Sequence, residues 1–155
     1  MSQDRVTISH PDKILFPDDG FTKDDVGAYY RRIASRMLPW IKDRPLSFLV
    51  FPRGIKADGF FSKNAPDYYP QFIERIEVPT RGEQKSTVTM ATADATRDLA
   101  YLAGQNVIEF HTSLSPGNRL EHPDQIIFDL DPSDEDFTKV RQVAHRLHEI
   151  LEERG

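Results

Sequence analysis

The chain has 155 residues, 11 prolines, no cysteine and a formal charge of −5. That length suits one domain with a real core, and no apolar run approaches a membrane span. The lack of cysteine excludes disulfides, Cys-ligated zinc and thiol catalysis, and fits a cytoplasmic protein.

The acidic balance argues against a generic nucleic-acid coat, which would be basic overall, but the charge is unevenly spread. Residues 1–119 hold 16 Lys/Arg against 15 Asp/Glu, a net of +1, whereas residues 120–155 hold 4 against 10, a net of −6. Local patches decide phosphate binding, so this distribution leaves basic sites available in the first three quarters. The N-terminus, Met1-Ser2-Gln3-Asp4-Arg5, is polar and lacks a signal-peptide core.

In chain order, Thr22 followed by Asp25 resembles a capping box and opens a helix predicted from about Lys23 to Ile41. Its apolar stripe reads Val26, Tyr29, Tyr30, Ile33, Met37 and Trp40, with Pro39 near the end. Pro45–Pro52 and Gly59–Lys63 read as strands, with Arg53 and Lys56 in the loop between them. Phe72 to Val78 and Thr87 to Met90 read as two more, separated by a turn at Arg81-Gly82-Glu83. Asp94 is placed to cap a helix through Ala103 that Gly104 stops, followed by a strand from Val107 to His111. Pro116-Gly117-Asn118 marks a turn. Gln125 to Pro132 reads as a short apolar strand. Ser133 then caps a helix from Asp134 to about Glu153, with Phe137, Val140, Val143, Ala144, Leu147, Ile150 and Leu151 as its buried face. Hairpin-like strands mixed with helices predict an α+β fold in one domain, residues 1–155, with a mixed, largely antiparallel sheet and flanking helices.

Four groups carry candidate chemistry. On a strand, Asp129 and Asp131 point to one face, where two carboxylates repel unless a cation or solvent intervenes. A hard divalent ion shared with substrate phosphates resolves that repulsion; the plainer alternative is a solvated strand end entering an Asp-Pro turn. His111, at the end of Val107-Ile108-Glu109-Phe110-His111, reaches a phosphate near the Asp pair if the two strands are neighbours, and is otherwise an edge histidine. His10, Lys13 and Lys23 bracket the loop at the first helix's N-terminus, where lysines and exposed helix amides suit a terminal phosphate; solvated lysines are the alternative. Phe60 and Phe61 lie on opposite faces beside Lys63, which suits either a base-stacking platform or ordinary sheet packing. His145 and His148 have helical spacing but no specified further ligand.

Together these stretches resemble the polymerase domain of bacterial ligase D, a member of the archaeo-eukaryotic primase superfamily that works in non-homologous end joining. The resemblance rests on Ile8-Ser9-His10-Pro11-Asp12-Lys13-Ile14-Leu15-Phe16-Pro17, Gly20-Phe21-Thr22-Lys23, Tyr29-Tyr30 and Met37-Leu38-Pro39. It continues with Arg44-Pro45-Leu46, Gly59-Phe60-Phe61-Ser62-Lys63, Glu109-Phe110-His111 and Phe128-Asp129-Leu130-Asp131-Pro132. It implies that Asp129 and Asp131 hold Mg²⁺ or Mn²⁺ against a nucleoside triphosphate, and that His111 lines the nucleotide pocket. His10, Lys13 and Lys23 would grip the 5′-phosphate of a broken DNA end, the family often carrying Asn at the position of His10. Phe60, Phe61 and Lys63 would stack on nucleic acid. Such domains run to roughly twice this length, within ordinary domain sizes. Their second half supplies a third catalytic aspartate and further nucleotide contacts.

The expectation is therefore the N-terminal half of a DNA-repair nucleotidyltransferase, binding metal weakly and inactive alone. Its partners would be 5′-phosphorylated DNA, the missing half, and ligase and Ku components, in the cytoplasm at the nucleoid, with no membrane. The alternatives are a non-catalytic module that binds 5′-phosphorylated ends, or a vestigial fold.

Overall fold

The computed structural model describes residues 6–80, 86–132 and 134–154. The expected turn at Arg81-Gly82-Glu83 and the cap at Ser133 lie outside them. The chain divides into two compact units, Met1–Asp124 and Gln125–Gly155.

In the first unit, β1 (Ile14–Phe16) and β2 (Phe21–Thr22) form a small ribbon that the sequence did not signal; the ribbon leads into α1 (Lys23–Ile41). The Thr22 N–H donates to Asp25 Oδ2 at 2.8 Å and the Asp25 N–H returns to Thr22 Oγ1 at 3.2 Å, completing the expected capping box. The predicted stripe is partly rotated. Val26, Tyr30, Ala34 and Ile41 are buried, with Ile33, Met37 and Leu38 packed alongside, while Tyr29 and Trp40 lie on the outer face. The rotation follows from close packing at Gly27, where an added Cβ would stand 2.3 Å from Ile8 Cδ1.

Every strand pairing of the sheet among the described residues is antiparallel, where a mixed, largely antiparallel sheet was expected. Its centre is β3 (Leu46–Val50), which pairs along one edge with β7 (Val107–Thr112). Along the other edge it pairs with β4 (Phe60–Ser62) and, at Leu46, with β6 (Thr87–Ala91). β5 (Arg75–Pro79) forms a hairpin with β6. β5 begins at Arg75 rather than Phe72, because turns closed by Tyr69 N–H to Pro66 O and Ile73 N–H to Pro70 O occupy the preceding residues.

Helix α2 (Thr96–Gly104) starts two residues after the expected cap. Asp94 is diverted: its carboxylate accepts from Asp43 N at 2.6 Å and Thr92 Oγ1 at 2.5 Å. Asp98 takes over, accepting from Asp94 N and Ala95 N, each at 2.9 Å. Both helices pack on one sheet face, where Tyr30 meets Phe110 at 4.8 Å between ring centroids and Phe110 meets Phe48 at 5.5 Å. The Tyr30 hydroxyl donates to Ile108 O on β7 at 2.7 Å, tying α1 to the sheet.

In the second unit, Gln125 to Pro132 is not a strand. Extended backbone becomes a strand only when a neighbour completes its ladder, and among the described residues this segment has none. Ile126 and Ile127 are exposed accordingly. α3 (Phe137–Glu152) begins three residues later than expected, because Asp136 accepts from Thr138 N at 3.0 Å as its N-cap. Its apolar face is not buried; no residue of α3 is.

Candidate functional site

The first unit brings His10, Lys13 and Lys23 into one cleft of about 420 Å³, together with Ser9, Gln105 and Asn106. Lys23 is 4 % exposed, and its Nζ donates to Ser9 O at 2.8 Å and Ser9 Oγ at 3.3 Å. Lys13 Nζ donates to Pro52 O and reaches Asn106 Oδ1 at 3.5 Å. Burial first, and the neighbouring Lys13 second, hold Lys23 below the ordinary lysine pKa. Two cations braced on neutral oxygens in a cleft favour an anion.

The helix contribution is not as expected. The α1 amides of Lys23 and Asp24 donate to Lys13 O at 2.8 Å and Pro11 O at 3.1 Å, and Asp25 N–H belongs to the capping box. Side chains, not helix amides, therefore face an incoming ligand. His10 (φ 52°) and Asn106 (φ 64°) both adopt the left-handed conformation in this wall, where Asn is among the better-tolerated residues. Gln105 and Asn106 were missed by sequence reasoning; their only signal was a polar pair following the helix-stopping Gly104.

A second cluster occupies the sheet face opposite the helices. Ser47 pairs with His111, and Leu49 pairs with both Glu109 and Phe61, so these side chains share that face. His111 Nε2 lies 3.3 Å from Glu109 Oε2, and its ring meets Phe61 edge-on at 5.2 Å. Lys63 Nζ stands 6.0 Å from the Phe61 centroid. Phe60 and Phe61 do point to opposite faces, but both are about half exposed, because β4 is a three-residue edge strand. A groove of about 490 Å³ runs beside them, lined by Ser47, Lys63, Met90, His111 and Ser113 among others.

The Asp pair belongs to the second unit. Asp129 and Asp131 line a cavity of about 260 Å³ with Asp134, Asp136 and Lys139. Lys139 Nζ pairs with Asp134 Oδ2 at 2.5 Å, and the Asp134 carboxyl is held below its usual range by that bond first and Asp136 N–H second. Carboxylate oxygens suit a hard cation such as Mg²⁺ or Mn²⁺. Among the described residues, no group of three His, Cys, Asp or Glu gathers to hold one. No helix among them is long and apolar enough to cross a membrane.

Comparison with known proteins gives a consistent result. The chain is 32% identical over 154 residues to a multifunctional non-homologous end joining protein, LigD, of Mycolicibacterium smegmatis, covering 96% of this chain and 19% of that protein. It is 32% identical over 145 residues to the bifunctional LigD of Bacillus subtilis, covering 93% of this chain and 22% of that one. The chain thus spans about a fifth of the length of these relatives. The polymerase domain of Mycobacterium tuberculosis ligase D, solved in complex with DNA, superposes with a TM-score of 0.67 at 33% identity, covering 72% of this chain and 38% of that one. Residues 22–155 match the profile of the LigD primase-polymerase domain. By this match and these identities, the chain belongs to the LigD primase-polymerase domain family.

Proposed function

We propose that this chain contributes the DNA-end-binding and nucleotide-facing part of a nucleotidyltransferase that acts at double-strand breaks in non-homologous end joining. The observation that carries the reading is the shared cleft of His10, Lys13 and Lys23 in a chain of this family. A 5′-phosphate entering it would exchange the lysines' weak neutral partners for charge-assisted bonds and relieve the repulsion between them. On the sheet face away from the helices, Phe61 beside Lys63 offers a ring face to bases, and Phe60 offers a second ring from the opposite face of the same edge strand. His111, oriented by Glu109 and Phe61, faces the nucleotide. Asp129 and Asp131 would hold Mg²⁺ or Mn²⁺, which supplies charge neutralisation at a triphosphate. Two carboxylates alone bind such an ion weakly, so full activity requires further ligands from the rest of the polymerase domain. Ligase and Ku components at the bacterial nucleoid are the fitting partners.

The test is affinity for a recessed DNA end bearing a 5′-phosphate against the same end with a 5′-hydroxyl. The phosphorylated end is expected to bind about tenfold tighter, the scale of one charged contact, with Lys13→Ala erasing the difference. Equal affinity for the two ends sinks the reading. A non-catalytic end-binding module shares this cleft and differs in its indifference to Asp129→Ala once the complete domain is assembled.

A further inference from the structure

We infer that the outer face of α1 is a second contact surface for a nucleic-acid strand, separate from the cleft and from the His111 face. The inference goes beyond the proposed function and does not depend on it. Tyr29, Arg32, Arg36 and Trp40 follow one another at intervals of three, four and four residues. At 3.6 residues per turn this places them within an arc of about 80° along about 16 Å of helix. All four are exposed, Tyr29 by 48 % and Trp40 by 66 %.

This arc is not the one that packs. Val26, Tyr30 and Ala34 turn inward, and Tyr30 rests on Phe110 on the core side of the sheet. The stripe therefore lies outside the packed face of α1, with two guanidinium groups flanked by an aromatic ring at each end. Exposed aromatics alone would suit many partners. Flanking two cations at helical spacing, they offer ring faces for bases on either side of a pair of phosphate contacts on a single strand.

The surrounding charge favours a polyanion. No acidic residue lies between Asp25 and Asp43, whereas Arg31, Arg32, Arg36 and Lys42 do. Arg31 is engaged with Asp24 at 4.0 Å, and Asp25 is committed to the capping box. Arg32 and Arg36 join no ion pair among the described residues. At the N-terminal end the stripe opens into a groove of about 560 Å³ walled by Phe16, Phe21 and Tyr29. Asp19 and Asp25 border that groove, so phosphates belong toward the Arg36 end and a base toward the Phe21 end.

Trp40 is the only tryptophan of the chain, so its fluorescence reports on this surface alone. The experiment titrates the full chain with oligothymidylate carrying 5′-hydroxyl ends, which offers nothing to a terminal-phosphate cleft. Emission is expected to be quenched as a base stacks on the indole, with an affinity that falls as salt rises. Arg32→Gln with Arg36→Gln should weaken binding about tenfold and lower the salt slope by about 1.4, the value for two phosphate contacts on a single strand. Tyr29→Ala should weaken binding with an unchanged salt slope. Arg146→Gln, on α3 and paired with Glu149, should alter neither quenching nor affinity, which separates loss of this surface from a general loss of positive charge, and the 5′-hydroxyl ends keep the result independent of the proposed cleft. Binding without quenching, or quenching unaffected by the double variant, overturns the inference. So does sedimentation in which Trp40 is covered by a second copy of the chain and DNA has no effect.

Discussion

Lys23 shows how a single residue can be both a structural tie and a stored electrostatic cost. Its amine is buried beside a second amine and, among the described residues, is satisfied by the carbonyl and hydroxyl of Ser9. Its pKa is therefore lower in the folded chain than in the unfolded one, by burial first and Lys13 second. Between the folded value and the ordinary 10.5, the unfolded chain binds more protons, so this group makes stability rise with pH across that window. Below the folded value the cost is present in full. Urea unfolding at stepped pH should show wild type gaining stability on Lys23→Met as pH climbs toward 10.5; parallel curves would refute it. Tyr30, pushed up to about 12 by its burial first, acts with the opposite sign at higher pH. It is common to both proteins and cancels in the difference. The pairing of Lys13 with Lys23 was legible because the two are near in sequence. Asn106 was not, since 93 residues separate it from the amine it meets.

At the scale of elements, local signals sufficed where they had no competitor. α1 begins and ends where its capping box and periodicity place it, because among the described residues the Thr22 and Asp25 side chains serve each other. α2 illustrates the opposite case. Asp94 is the better cap by sequence, but the amide of Asp43 and the hydroxyl of Thr92 claim its carboxylate. Asp98, 3 % exposed, then satisfies two amides at the helix start from inside the first turn. Burial is the main cause raising its pKa, and those two hydrogen bonds oppose it. Asp98→Ala would leave both amides without a partner, and should destabilise the first unit by about 2 kcal/mol. A urea midpoint within error of wild type would show that water replaces the carboxylate at no cost.

For the whole molecule, the distribution of burial sets where the chain should open. β3 is flanked on both edges and its Leu46 and Phe48 are at most 2 % exposed, so its amides open only with the first unit as a whole. α3 has 16 residues and buries none of them, and a helix of that length without packing is marginal in water. Hydrogen exchange should therefore find α3 amides at least about 100-fold less protected than those of β3, with residues 125–132 faster still. Equal protection in α3 and β3 would show that its apolar face is covered in solution. The same distribution separates the candidate residues by their support. His10, Lys13, Lys23, Phe61 and His111 stand on a packed scaffold, whereas Asp129 and Asp131 stand on a segment that has no ladder among the described residues.

The sequence by itself determined the antiparallel α+β character, the limits of α1, the strand cores and the grouping of His10 with two lysines. Each of these follows from hydrogen bonds and periodicities acting over a few residues. Tertiary structure alone decided which face of α1 is buried, which aspartate serves α2, and that Glu109 and Phe61 orient His111. It also decided that Gln125 to Pro132, apolar and β-prone though it is, has no strand partner among the described residues. The reason is physical: a side chain's neighbours and a strand's ladder are supplied by residues far away in the chain, and no local pattern encodes which of them arrive.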